Sequence, residues 1–577
     1  MHHGPQLLDG NRTRFQLWAP DAQRVSLNIE GAGSLPMQRL DNGWYSLDAE
    51  AGAGTAYRFL IDDQQLVPDP ASHAQADDVH GPSRVIDHGA YPWRNRQWRG
   101  RPWHETVLYE LHVGASGGYA QIEQRLAALA ELGITAIELM PLAAFPGTRN
   151  WGYDGVLPYA PHASYGSPED LKRLIDAAHG HGLMVFLDVV YNHFGPDGNY
   201  LGHYAKRFFR HDQQTPWGDA IDFRHREVRD FFIDNALMWL NDYRFDGLRL
   251  DAVHAISERS FLTELAERVR AETEPGRHVH LVLENEDNRV SLLEKDFTAQ
   301  WNDDGHNILH ALLTGESQGY YADFQQNATA KLVRFLGEGF IYQGQPDRCG
   351  HGRGEPSAHL SPTSFVLFLQ NHDQIGNRAF GERLINLAEP DALRAATAVL
   401  LLSPMIPLLF MGEEWGAREP FLFFTDHHGE LADAVREGRR AEFAEFAEFA
   451  DPATRARIPD PNALQTFERS QPDPGRADAS WSALYRALLE IRHRELIPRL
   501  PGARALGATA LGEAAALARW QLGDGSRLWL AINLGPDTHA LPSVAPGARL
   551  LHDSRGQDAA AHLPAATARV YLEPADE

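Results

Sequence analysis

The feature that most restricts the fold is a change of hydrophobic period near residue 107, where short apolar segments begin to alternate with amphipathic helical segments. Eight of the apolar segments have the length and composition of strands: residues 107–113, 134–140, 183–190, 245–253, 279–284, 299–301, 364–370 and 406–412. Apolar strands separated by helices indicate a parallel sheet that is buried on both faces. Eight such units predict a closed (β/α)8 TIM barrel. A doubly wound open sheet is the alternative, although no G-x-G-x-x-G turn follows any of the strands.

The helical segments carry their own start and stop signals. Residues 121–133 have helical spacing and close on Gly133. Ser167 is placed to cap the next helix, because Pro168 follows at the first helical position and two acidic residues complete the first turn. These signals fix the helix boundaries between the predicted barrel strands.

Both ends of the chain have a different pattern. Before the barrel, short alternating runs divided by turn residues predict the strands of an immunoglobulin-like β-sandwich: residues 14–20, 24–31 and 57–63. From about residue 496 short strands return and predict a small C-terminal β-domain. The expected domains are therefore the sandwich, the catalytic barrel with a short insert at about 194–224, and the C-terminal β-domain: residues 1–95, 96–495 and 496–577.

The composition and the charge restrict the partners. With 43% hydrophobic residues and 13 tryptophans, the chain is expected to be packed and globular. The net charge of −25 repels phosphate backbones and anionic membranes, which argues against nucleic acid and membrane partners but does not disfavour a neutral sugar. The only cysteine, Cys349, excludes an intrachain disulfide, and the N-terminus has no apolar secretory segment. Both features predict a cytoplasmic location.

The polar residues at the ends of the apolar strands are the candidates for chemistry, because the active site of such a barrel lies at the carboxyl ends of its strands. One acid at a strand end is more typical of a cap or an ion pair. Here four strands deliver acids, imidazoles and one guanidinium to the same rim: Asp188, Asn192, His193, Arg249, Asp251, His254, Glu284, His372 and Asp373. Such a set on the matching ends of several strands indicates a site.

Three acids with one arginine suit glycosyl transfer, whose transition state resembles a cationic oxocarbenium ion. Arg249 precedes Asp251 by two residues, so both side chains share one face of a strand. The guanidinium is expected to keep Asp251 ionised as a nucleophile. Glu284, on the next strand, is expected to have a raised pKa from burial and neighbouring negative charge, as a proton donor requires.

A metal site is the competing interpretation, since several of these side chains are of metal-ligating types. The acids are spread over four strands, however, and the chain has no HExxH pair. We therefore expect neither a metal nor a cofactor.

Four short segments, in order, resemble the signature regions of the α-amylase superfamily, glycoside hydrolase family thirteen: DVVYNH at 188–193, GLRLDAVH at 247–254, LVLEN at 281–285 and FLQNHD at 368–373. The resemblance implies that Asp251 is the nucleophile, Glu284 the acid/base and Asp373 a third acid that holds and distorts the sugar. It also implies a set of sugar-binding residues, with the first stacking under the ring: Tyr153, Asp188, His193, Arg249 and His372.

Within the superfamily, residues 151–166, 215–223 and 370–384 most resemble a trehalose-releasing branch. The N-terminal sandwich is similar to the carbohydrate-binding module that precedes the barrel in branching and trehalose-forming enzymes. This resemblance implies hydrolysis, with retention, of the α-1,4 bond next to the terminal trehalose of maltooligosyl trehalose, and a maltooligosyl trehalose synthase as the functional partner. A 1,4-α-glucan branching enzyme or an α-amylase-type hydrolase is the near alternative, and a non-catalytic glucan-binding scaffold is the remote one.

A preference for trehalose-ended chains must arise on the leaving-group side, because an ordinary maltooligosaccharide offers the same scissile bond. Five residues beyond the acid trio are candidates for that pocket: Trp217, His254, Asp303, His306 and Gln374. Trp217 is expected to stack on a glucose face, with a core position as the alternative. Asp303 and His306 are expected to hydrogen-bond the second trehalose ring, with loop capping as the alternative.

Overall fold

Eight parallel strands form the centre of the protein and close into a barrel in the computed structural model, which describes residues 2–8, 11–215, 218–347, 350–556 and 561–575. The barrel strands, β1 to β8, follow one another around the barrel in chain order: Leu108–Leu111, Ala136–Leu139, Met184–Val189, Gly247–Leu250, His280–Leu283, Ala299–Trp301, Phe365–Leu367 and Ile406–Phe410. The predicted barrel is confirmed, and each predicted segment contains one of these strands.

The longer helices of the chain lie between and after the barrel strands. They are labelled α1 to α9: Tyr119–Leu132, Pro168–Gly180, Arg226–Asn241, Arg259–Glu272, Asp303–Thr314, Ala328–Glu338, Pro390–Leu402, Gly429–Glu442 and Ala479–Ile491. Shorter helices interrupt the loops: Leu201–Tyr204, Val290–Leu293, Ala322–Gln325, His372–Gly376, Pro452–Arg455 and Leu464–Arg469. The predicted cap of α2 is confirmed, since the Ser167 side chain accepts a hydrogen bond from the backbone N–H of Asp170. Among the described residues, no helix is sufficiently long and apolar to cross a membrane.

Two antiparallel sheets precede the barrel. The first consists of Gln6–Leu7, Arg12–Trp18, Trp44–Glu50 and Gln38–Arg39. The second consists of Gly33–Pro36, Val25–Ile29, Ala56–Ile61, Gln65–Val67 and Ser83–Arg84. Phe15 of the first sheet lies 4.6 Å from Tyr57 of the second, ring centre to ring centre, so the sheets bury their apolar faces against each other.

A five-stranded antiparallel sheet follows the barrel, in the spatial order Arg504–Gly512, Ala515–Gln521, Arg527–Asn533, Thr567–Glu573 and Arg549–Asp553. A small ladder joins His539–Ala540 to His562–Leu563. The sheet packs on α6, where a side chain at Gly337 would meet the backbone nitrogen of Ala508 at 2.9 Å. Only glycine allows this close approach of helix and strand.

Three short hairpins extend the barrel loops: Ala143–Ala144 with Leu157–Pro161, Phe209–Thr215 with Gly218–Ile221, and Gln345–Pro346 with Gly352–Arg353. The second hairpin and the helix Leu201–Tyr204 form most of the insert between β3 and α3. Trp217 belongs to this insert and lies outside the described residues, as does Cys349.

The interior of the barrel changes from apolar to polar along the strands. One cluster of buried side chains fills its lower part: Leu108, Ala136, Met184, Phe186, Val282, Ala299, Trp301, Val366, Phe368, Ile406 and Leu408. Two residues beyond Leu108 and Ala136, the strands β1 and β2 carry Glu110 and Glu138, both buried. This polar layer lies below the carboxyl ends of the strands, and it supports the side chains described next.

Candidate active site

A single guanidinium connects the acids that the sequence places on three strands. Arg249 on β4 is 1% exposed, and its Nη1 donates to both oxygens of Asp188 at 2.8 Å and to Oδ1 of Asp251 at 2.7 Å. Its Nη2 lies 2.9 Å from Oε2 of Glu284. The guanidinium also lies 4.2 Å from the ring centre of Trp301 on β6, a cation–π contact that holds it in place. The candidate nucleophile and the candidate acid/base therefore share one buried cation.

Asp251 follows β4 and is surrounded by groups that favour its ionised form. The side-chain amide of Asn192 donates at 2.9 Å to both Oδ2 and the backbone oxygen of Asp251. His193 lies 2.5 Å from the Asn192 oxygen through Nδ1 and 2.9 Å from the Tyr153 carbonyl through Nε2. Burial raises the pKa of Asp251, but Arg249, His193 and Asn192 lower it by more, and the net pKa lies below its usual value. The carboxylate is thus available for nucleophilic attack at neutral pH.

Glu284 directly follows β5 and is in the opposite electrostatic situation. Its Oε2 accepts a 2.8 Å hydrogen bond from the backbone N–H of Ala252, which has the left-handed φ of 41° that is rare for a residue with a Cβ. Burial, followed by the charges of Asp251, Asp303 and Asp373, raises the pKa of Glu284 well above its ordinary value, against the effect of the guanidinium. A carboxyl that stays protonated at neutral pH is what general acid catalysis requires.

His372 and Asp373 lie on the short helix that begins after β7. Asn371 caps this helix, and its side-chain oxygen accepts from the backbone N–H of Asp373 at 2.9 Å. His372 lies with Nδ1 2.5 Å from Oε1 of Glu110 and donates its backbone N–H to Oε2 of the same carboxylate at 3.2 Å. Glu110 is therefore a contact of the site that the strand-end pattern did not predict.

Tyr153 connects two of the sugar-binding candidates. Its hydroxyl donates to Oδ2 of Asp188 at 2.6 Å. Its ring stacks on the ring of His372, with the centres 5.0 Å apart and the planes 25° apart. Burial raises the pKa of Asp188 to about 6, and Asp251 adds to that, whereas Arg249 and the Tyr153 hydroxyl lower it. The aromatic pair and the hydrogen-bonded acid together form one wall of the site.

Three of the candidates for the leaving-group pocket are at least partly exposed. Asp303 begins α5 directly after β6, and burial raises its pKa to about 7, against the guanidinium of Arg353. Gln374 is half-buried, and its Oε1 has no hydrogen-bond partner among the described residues. His254 is exposed, and its Nδ1 accepts from the backbone N–H of Glu286 at 3.3 Å.

The prediction that His306 hydrogen-bonds a sugar is wrong. The residue is completely buried, and its ring stacks on Phe368 at 5.7 Å. Its Nδ1 lies 2.8 Å from the carbonyl oxygen of Leu369 and its Nε2 lies 3.2 Å from the hydroxyl of Tyr321. Protein groups therefore use both ring nitrogens, which leaves none for a ligand.

Arg353 lies beside the predicted pocket although no sequence signal marks it. It ends the short strand Gly352–Arg353, and its Nε donates to the backbone oxygen of Glu286 at 2.7 Å. Its Nη2 lies 3.3 Å from Oδ1 of Asp304, and the guanidinium lies 4.7 Å from the ring centre of Tyr342. In the sequence, Arg353 is one arginine in a polar loop and nothing distinguishes it. Its position at the rim follows from the folding of the hairpin.

In the part of the chain that the structure describes, no group of three or more His, Cys, Asp or Glu side chains could hold a metal ion.

Comparison with known proteins gives matches over the whole chain. Residues 90–217 match the family model described as "Alpha amylase, catalytic domain", and residues 503–570 match a domain of unknown function, DUF3459. A malto-oligosyltrehalose trehalohydrolase of Deinococcus radiodurans is 42% identical over 574 residues, which cover 95% of this chain and 93% of that protein. A malto-oligosyltrehalose trehalohydrolase of Rhizobium sp. strain M-11 is 41% identical over 512 residues, which cover 83% of this chain and 84% of that protein. The crystal structure of a putative α-amylase from Salmonella typhimurium matches with a TM-score of 0.93 at 44% identity over 99% of both chains.

Proposed function

Because the chain belongs to the malto-oligosyltrehalose trehalohydrolases of the α-amylase family, a group of trehalose-releasing glycoside hydrolases, we propose which of its residues perform the hydrolysis. Its substrate is a glucan chain that ends in trehalose, and its product is trehalose. The observation that carries the residue assignment is the shared guanidinium of Arg249, which contacts Asp251 and Glu284 while their pKa values move in opposite directions. One carboxyl with a lowered pKa and one with a raised pKa suit a nucleophile and a proton donor.

In the proposed first step, a carboxylate oxygen of Asp251 attacks the anomeric carbon of the glucose that precedes the trehalose unit. The bond from that carbon to the glycosidic oxygen breaks, and Glu284 gives its proton to this oxygen, so trehalose leaves as a neutral alcohol. In the second step, the Glu284 carboxylate takes a proton from water, and the resulting oxygen attacks the same carbon and releases Asp251. Two inversions retain the anomeric configuration.

The other residues of the site hold the sugar in this scheme. Asp373 binds and distorts the ring, so that binding energy favours the transition state over the ground state. Tyr153 lies under the ring, while Asp188, His193 and His372 bind its hydroxyl groups. The proposal is supported by the Tyr153–His372 stacking and by the hydrogen bond from Tyr153 to Asp188.

We also propose that a maltooligosyl trehalose synthase supplies the substrate, since a trehalose end does not occur on an ordinary glucan. Both enzymes would act in the cytoplasm, a compartment that suits a chain with one cysteine.

Product analysis tests the function directly. Incubated with maltotriosyl trehalose, the enzyme is expected to release trehalose and maltotriose, and it should cut maltopentaose at least tenfold more slowly, on the order of the 1–3 kcal/mol that unpaired pocket groups cost. Chromatography of both digests at equal substrate concentration gives the ratio. Equal cleavage of the two substrates would replace the proposal with a plain amylase, and the appearance of α-1,6 branches would replace it with a branching enzyme.

The leaving-group pocket is proposed to include Trp217, His254, Asp303 and Gln374, with Arg353 added from the structure. Asp303→Asn should lower the preference for maltotriosyl trehalose over maltopentaose by about five- to tenfold, because it replaces a carboxyl partner of the second trehalose ring with an amide of different donors and acceptors. The ratio of kcat/KM on the two substrates is the measurement. His306→Phe, on the same helix, is the matched control: it should lower thermal stability and leave the ratio unchanged. An unchanged ratio in Asp303→Asn would remove Asp303 from the pocket.

A further inference from the structure

Glu138 is a buried acid that the proposed mechanism does not use. It lies on β2 inside the barrel and is 1% exposed, and neither of its carboxyl oxygens has a hydrogen-bond partner among the described residues. A carboxylate without partners would be very unfavourable in such a place. Burial raises the pKa of Glu138 well above its ordinary value, and the charges of Glu110 and Asp188 raise it further against the effect of Arg249. Glu138 is therefore a neutral acid at neutral pH.

Glu110 is the in-register neighbour of Glu138 on the adjacent strand β1. The two residues are paired in register on the parallel strands β1 and β2, which lie about 4.8 Å apart in such a sheet. Residues in register on adjacent strands point to the same face, so both carboxyls enter the barrel interior. Glu110 is also 1% exposed. Two buried acids thus lie side by side in the barrel interior.

The difference between the two acids lies in their partners. Glu110 accepts from both the backbone N–H and Nδ1 of His372, at 3.2 and 2.5 Å. Nε2 of His372 has no partner in the part of the chain that the structure describes, so it is available to a ligand. Although burial lowers the pKa of His372, Glu110 raises it by more. The imidazole therefore gives a negative charge on Glu110 a hydrogen-bonded counterion, whereas Glu138 has no hydrogen-bonded cation among the described residues.

The charged groups around Glu138 do not favour a second negative charge. Glu110 on β1 and Asp188 on β3 are acids, and the guanidinium of Arg249 on β4 is already shared by three other carboxyls. Adjacent buried carboxyls titrate as a pair, in which ionisation of one opposes ionisation of the other. Glu138 is thus expected to keep its proton, and a negative charge in this part of the barrel is best placed on Glu110, beside His372.

We propose that Glu110 and Glu138 form a carboxyl pair that carries one negative charge beneath the sugar pocket, and that this charge orients His372 with Nε2 towards the substrate. Glu110 is the positioning residue, and Glu138 is the neutral member that leaves the charge on Glu110. The inference rests on the proposed function in one respect, which is that His372 binds the sugar.

A double-mutant cycle tests the pair, using kcat and KM of the full-length enzyme on maltotriosyl trehalose between pH 5 and pH 9. Glu138→Gln keeps the shape of a neutral acid and should leave kcat/KM within about twofold of the wild type at neutral pH. Glu110→Gln should reduce kcat/KM about tenfold, because it replaces the charged acceptor of His372 with a neutral amide. In that variant Glu138 is free to ionise, so the ratio of its kcat/KM to that of the wild type should increase as the pH rises.

The double variant decides between a shared charge and two independent structural roles. Glu110→Gln/Glu138→Gln has no acid left to take the charge, so its loss should exceed the product of the single losses and should not recover at high pH. Strictly multiplicative losses, or a Glu138→Gln loss equal to that of Glu110→Gln, would overturn the pair. If Glu138→Gln does not fold, as judged by its melting temperature, Glu138→Met replaces it as the neutral variant.

The same assay separates failure of the pair from failure of the proposed function. The products that the wild type releases from maltotriosyl trehalose and from maltopentaose show whether the enzyme is a trehalohydrolase. The carboxyl pair is tested by the ratio of kcat/KM between variant and wild type, measured on whichever bond the wild type cuts. The product pattern therefore tests the proposed function, and the ratios test the carboxyl pair.

Discussion

Asp251→Asn and Glu284→Gln are each expected to reduce kcat on maltotriosyl trehalose by about a thousandfold or more, because each removes a separate chemical role. Both replacements keep the size of the side chain, so the barrel should remain folded and the melting temperature should change little. Steady-state kinetics measure kcat, and thermal unfolding measures the melting temperature. Glu294→Gln is the matched control, since Glu294 is a half-exposed acid that pairs with His359 away from the site.

A substrate with a better leaving group distinguishes the two roles. A maltosyl fluoride needs no proton on departure, so Glu284→Gln should still form the glycosyl ester on Asp251, which mass spectrometry would detect as an intact adduct. Asp251→Asn should form no adduct with the same substrate. An anomeric product of inverted configuration by NMR, or a separation of the two carboxyls well beyond the roughly 5–5.5 Å of retaining enzymes, would contradict the double displacement.

The same two acids determine the expected pH profile. The pKa of Asp251 is lowered, so activity should fall only when acid protonates this nucleophile. The pKa of Glu284 is raised well above its usual value, so activity should fall again as the pH rises and the donor loses its proton. With maltosyl fluoride, the alkaline limb of the ester-forming step should disappear while the acidic limb remains.

The residues around Arg249 could be found from the sequence because a closed parallel barrel brings the carboxyl ends of all its strands to one rim. Arg249, Asp251 and Glu284 each sit at the end of an apolar run, so the pattern indicated that they converge before any distance was known. The contacts of Arg249 with both acids agree with that expectation. The spacing of two residues between Arg249 and Asp251 had already placed both on one face of β4.

The residues that were missed do not follow the strand-end pattern. Glu110 and Glu138 lie inside apolar strands, where the sequence indicates only burial, and their importance appears when the register pairs them. Arg353 reaches the rim through a hairpin whose position depends on tertiary packing. His306 was misplaced for the converse reason: a polar residue just after a strand can be consumed by its own core contacts, as those with Leu369 and Tyr321 show.

Arg249→Met is expected to have the largest combined effect on stability and activity, because it leaves three buried acids without their cation. Removing one partner of a buried ion pair typically costs about 3–5 kcal/mol of the free energy of unfolding. The destabilisation should be greater at pH 8 than at pH 4, since protonation of the stranded acids relieves the burial of charge. Asp188 and Asp251, whose pKa values Arg249 lowers in the wild type, are the groups whose protonation provides this relief. Denaturant unfolding at several pH values measures the effect.

Arg249→Lys separates the chemistry from the stability. A lysine keeps a positive charge but cannot contact Asp188, Asp251 and Glu284 together with the geometry of a guanidinium. Without that contact the pKa of Asp251 should rise, and the acidic limb of kcat/KM should move to higher pH while the protein remains folded. Arg492→Met provides the matched control, because Arg492 is equally buried and, among the described residues, donates to the carbonyl oxygens of Leu401, Ser403 and Met405 and to no acid. The Arg492→Met variant should be less stable, but the acidic limb of its kcat/KM profile should stay at the same pH as in the wild type. An acidic limb that stays in place in Arg249→Lys would mean that Asn192 and His193 suffice to hold Asp251 ionised.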